Sequence, residues 1–68
     1  MKTGYFVEYK KKNGLAEDYS ENLTALVSQD FLVEMLQHKV EYMVVSARWV
    51  NVDTYQQNAD KKLPEYGF

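Results

Sequence analysis

The chain has 68 residues, enough for one small domain and no more. With 46% apolar and 26% charged residues, three glycines and one proline, it is not collagen, coiled coil or a wholly disordered chain. No apolar run approaches the about 18 residues of a membrane span, and MKTGYFVEY has no signal-peptide core. The absence of cysteine removes disulfides, thiol catalysis and most structural zinc sites, and suits a reducing cytoplasm.

The net charge of −2 is unevenly spread. Lys2, Lys10, Lys11 and Lys12 stand against Glu8 alone in the first 14 residues. Residues 15–34 carry Glu17, Asp18, Glu21, Asp30 and Glu34 with no base. Adjacent blocks of opposite sign predict pairing between a basic strand end and an acidic return segment.

Tyr5-Phe6-Val7-Glu8-Tyr9-Lys10 is aromatic and β-branched and reads as a strand, with Tyr5, Val7 and Tyr9 on one face. Asn13-Gly14 is a strong hairpin signal, because both residues tolerate positive φ. A turn centred there sets Lys12 opposite Leu15 and Lys10 opposite Glu17. Residues 15–27 fit both a helical stripe and a short strand through Leu23, Ala25 and Val27. The turn asks for a return strand, ending near Val27. Ser28 then caps a helix of about 11 residues. Its apolar stripe is Phe31, Leu32, Met35 and Leu36, and His38 and Lys39 fall in its last turn.

Residues 41–52 form the longest predicted strand. Strict alternation places Met43, Val45, Ala47 and Trp49 on the face beneath the helix, and Tyr42, Val44, Val50 and Val52 on the other. A strand apolar on both faces is usually covered on both. One helix covers only one. Beyond Asp53 the periodicity stops.

The expected architecture is α+β: a three-stranded antiparallel sheet with one helix packed on one face, in the order ββαβ. Right-handed crossover places the first strand centrally and the third at an edge. Residues 1–53 make the domain. Residues 54–68 are a polar tail, either disordered or docked on the sheet through Leu63, Tyr66 and Phe68.

Little here suits catalysis. His38 is the sole histidine, and no nucleophile-elbow motif surrounds Ser20, Ser28 or Ser46. Glu34 and His38 have a two-ligand spacing for a metal, without the further ligands a site needs. Glu17, Asp18 and Glu21 lack the ligand alternation and glycine of a calcium loop, and no glycine-rich phosphate loop occurs. The expectation is a non-enzyme with no cofactor, metal or small-molecule substrate.

Six tyrosines and one tryptophan exceed what so small a core needs to hide, and such residues are enriched at interfaces. The expected function is therefore protein–protein interaction, with Tyr42, Val44, Arg48, Val50 and Val52 as the partner-binding set. The partner is another protein or a second copy, reached through an open sheet face or edge strand. The layout is similar to that of tiny stand-alone proteins carried by phages and mobile elements, many of which inhibit or modulate a host protein. The alternative is single-stranded nucleic-acid binding through Tyr5, Tyr9, Lys10, Lys11, Lys12 and Arg48. An isoelectric point near 5.2 weighs against it.

Overall fold

The computed structural model describes residues 2–13 and 18–68. In chain order the elements are β1 (Thr3–Lys11), β2 (Leu23–Val27), α1 (Gln29–Gln37), β3 (Tyr42–Asn51), α2 (Val52–Asn58) and β4 (Glu65–Tyr66). The four strands form one sheet in the order β3-β1-β2-β4. β1 is antiparallel to both β2 and β3, whereas β4 lies parallel to β2. The expected central β1 and edge position of β3 are found. The expected count of three strands and one helix is corrected to four and two, and both additions come from residues 52–66.

Two further expectations change. Lys12 bridges to Tyr19 rather than Leu15, and the Asn13 N–H donates to the Asp18 carbonyl at 3.0 Å. Residues 14–17, on which the expected Asn13-Gly14 turn and the pairing of Lys10 with Glu17 fall, lie outside the described residues. α1 ends at Gln37, so His38 is its C-cap and Lys39 lies beyond it. Its start is as expected: the Ser28 hydroxyl oxygen accepts from the Phe31 N–H at 3.1 Å, satisfying one free donor of the first turn.

α1 covers one face of the sheet. Leu32 and Met35 pack on Val7, Tyr9, Ala25 and Val27, with Tyr5, Phe31, Tyr42 and Val44 around them. The opposite face is covered by α2, whose Tyr55 stacks on Phe6 with ring centres 4.9 Å apart. Leu26, directly across from Phe6, and Val52, the first residue of α2, are fully buried. Asn51 starts this helix by accepting from the Thr54 N–H at 3.0 Å. Two apolar faces on the central strands are therefore met by two helices.

The segment after α2 returns to the sheet's far edge. Leu26 N–H donates to the Pro64 carbonyl at 2.9 Å and Ser28 N–H to the Tyr66 carbonyl at 3.0 Å. Tyr66 stacks on Phe31, and Phe68 packs over Gly4, where an added Cβ would stand 2.7 Å from the Phe68 ring and 2.5 Å from the Val27 carbonyl oxygen. Gly67 has φ +83°, a conformation that other residues adopt only with strain. Glu65 accepts from Lys2 and, at 2.9 Å, from Gln56. These two bonds, Lys2 first, hold its carboxyl below the usual carboxylate range.

Leu26→Ala should lower the unfolding free energy by about 2–5 kcal/mol in urea melts, the cost of a cavity in a closed core. A loss below about 1 kcal/mol would mean that α2 does not close the second face. Acidification has a defined sign at Glu65. Its carboxyl is depressed in the folded state, so its contribution is present at neutral pH and is lost as pH falls through the folded value. Melting temperature against pH should accordingly be shallower on the acid side for Glu65→Gln than for the unaltered chain.

Candidate interaction surface

The geometry of β3 follows from one irregularity. Glu8 lies opposite Ser46 and Tyr9 opposite Val44, so Val45 is an extra residue with no counterpart on β1. Such a bulge breaks the alternation of faces. Directly opposite residues of antiparallel strands share a face. Ala47 and Trp49, opposite Val7 and Tyr5, therefore lie on the α1 side, as do Val44 and Tyr42, opposite Tyr9 and Lys11. Met43, Ser46, Arg48 and Val50 lie on the α2 side.

The five residues expected to bind a partner are consequently not brought together. Tyr42 and Val44 pack against the core under α1, Tyr42 meeting Tyr9 edge-on with ring centres 5.9 Å apart. Val50 is half-buried on the α2 side, and Val52 is fully buried at the start of α2. Arg48 alone is exposed. Its guanidinium sits 5.9 Å from the ring centres of both Phe6 and Tyr55, at one wall of a groove of about 760 Å³ between β3 and α2.

The set expected for nucleic acid is also divided. Tyr9 is buried and Tyr5 packs on the core cluster, whereas Lys10 points to the α2 side. Burial, and after it the neighbouring Tyr66 and Tyr42, raises the Tyr9 phenol above its ordinary value of 10.0. Lys11 and Lys12 share a small groove with His38 and Lys39 at the end of α1. The basic residues there have no open aromatic ring from Tyr9 beside them.

What sequence reasoning missed is the exposed strip. Trp49 on the α1 side, Val45 at the bulge and Met43 on the α2 side are 63%, 52% and 46% exposed along β3, the edge strand. Among the described residues, no strand pairs with β3 on that side. The Lys12 N–H donates to the Glu41 carbonyl and the Val52 N–H to the Lys2 carbonyl, both at 2.9 Å, so odd-numbered residues before the bulge and even-numbered residues after it face β1. Val44, Ala47 and Trp49 then turn their backbone N–H and C=O groups outward. β3 contains neither proline nor lysine, two common blocks on exposed edges.

Among the described residues, no group of three or more His, Asp or Glu is placed to hold a metal ion, and no helix is long and apolar enough to cross a membrane. No protein-family model, curated protein or solved structure matches this chain.

Tyr9→Ala should cost roughly 3–5 kcal/mol of stability, as truncation of a buried aromatic does. Near-wild-type urea stability combined with lost oligonucleotide binding at low salt would instead make Tyr9 a stacking residue.

Proposed function

We propose that the protein is a non-enzymatic, cytoplasmic interaction module that accepts an extended segment of another chain along the outer edge of β3. The observation that carries this reading is a ten-residue edge strand whose outward backbone groups lie beside exposed Trp49, Val45 and Met43. An added strand would satisfy those groups, and its side chains would cover the strip. Backbone pairing supplies affinity in this mode; the side chains on either face supply selectivity. Arg48, held over Phe6 and Tyr55, is the charged determinant on the α2 side. Modulation of a host protein, as in the small proteins of similar layout, would follow from occupying one of that protein's strands.

Peptides selected from a random library on the immobilised protein test this reading. Val45 is half exposed, so Val45→Lys should change urea stability by no more than about 0.5 kcal/mol. The same variant should abolish binding of most selected peptides, because a lysine guards a strand edge. Selected peptides that bind the variant undiminished would show that the edge is not the binding surface.

A further inference from the structure

We infer that the segment received by β3 is the β3 of a second copy, added antiparallel across a two-fold axis so that two four-stranded sheets become one. This rests on the edge-strand reading and names its occupant. The bulge and the charges each favour a second copy over an unrelated partner.

Two copies of one strand, paired antiparallel, must present directly opposite residues to the same face. An unbulged strand can therefore oppose only residues of the same parity. Across Val45 that requirement is inverted, because Tyr42 and Val44 share a side with Ala47 and Trp49, and Met43 shares one with Ser46 and Arg48. Pairing over the whole strand must oppose even to odd. One such register sets Ala47 opposite Tyr42, Ser46 opposite Met43 and Arg48 opposite Glu41, and the symmetry repeats each pair. The outward Ala47 N–H then meets the outward Tyr42 carbonyl, while the Tyr42 N–H stays on the His38 carbonyl.

That register is complementary to itself. Among the described residues the one ion pair joins Lys2 to Glu65, and Arg48 and Glu41 are both exposed with no charged partner among those residues. The register gives each of them one, twice over. A shift of two residues one way would set Arg48 against Lys39, and centring on Arg48 would set it against itself. Trp49 at 63% exposure is also brought toward Val40 at 68%, so the two most exposed large apolar side chains cover one another.

Size gives the reason for assembly. Below about 70–80 residues a single core rarely suffices, and small proteins add disulfides, a metal or a second subunit. This chain has no cysteine and, among the described residues, no metal-holding group. A second subunit is among the reinforcements open to such a core.

Charge exchange with light scattering over a concentration series tests the inference. The unaltered protein should move from 8.0 kDa toward twice that mass as concentration rises. Arg48→Glu and Glu41→Arg alter exposed residues and should keep the fold by circular dichroism. Each alone should weaken dimerisation by about tenfold or more, since each faces like charges across both pairs. An equimolar mixture of the two variants should dimerise again, because both pairs are then opposite in sign. A protein monomeric at every concentration, or a dimer indifferent to both variants, would overturn the inference. If that monomer still bound library peptides in a manner lost with Val45→Lys, the edge-strand reading would stand and only the second copy would fall. A dimer insensitive to the charge variants and also to Val45→Lys would count against both.

Discussion

The extra residue at Val45 decides which part of β3 belongs to which side of the sheet. Without it, Tyr42 and Val44 would leave the α1 side while Ala47 and Trp49 stayed, and the core around Tyr9 would lose one wall. With it, the first half of the strand lends aromatic and branched side chains to α1, and the second half lends Arg48 and Val50 to α2. A sheet of this size has few long strands to share between two layers. One displaced residue lets a single strand serve both.

The two layers are held by different means. Beneath α1 the contacts are aliphatic and edge-on aromatic, with Val7, Ala25 and Val27 fully closed off from solvent. Beneath α2 the contact is a flat stack of Phe6 on Tyr55 with a cation beside it, and Leu26 and Val52 are fully buried. α2 has only seven residues, too few to be stable on its own. It is held by what it covers, by the Asn51 cap and by the Gln56 side chain, which exchanges hydrogen bonds with the Leu63 backbone at 2.8 and 2.9 Å.

Much of this frame was legible because it is written in local signals. Ser28 before Gln29-Asp30 marks α1, alternation at Tyr5, Val7 and Tyr9 marks β1, and short parallel crossovers with one hand place β3 at the edge. The surplus of apolar residues on both faces of residues 41–52 pointed to a second cover, which α2 supplies. α2 itself was obscured by its content: Val52, Thr54 and Tyr55 are weak helix formers, and only two apolar residues mark its buried face. Asn51 and Asp53 were its readable start. β4 is two residues long and exists through backbone bonds to β2, which no periodicity can announce. The candidate site was missed for a sharper reason. Alternation was carried unbroken through Val44-Val45, so every side chain on one side of that point was assigned to the opposite face.

Of the described strands, β4 is the last in chain order and is therefore made after the β2 edge that it covers. Until residues 64–68 have been made and seated against β2, the Leu26 and Ser28 amides that they cover are open, as are those on the outside of β3. A nascent or refolding molecule thus exposes the β2 edge as well as the β3 edge, whereas in the finished one the far edge is the two-residue β4. Crowding of such intermediates favours edge-to-edge growth into open-ended aggregates, whereas docking of Phe68 over Gly4 limits growth to one side. The short β4 acts in this way as a terminator of assembly at the β2 edge, and the order of synthesis sets how long the sheet must do without it.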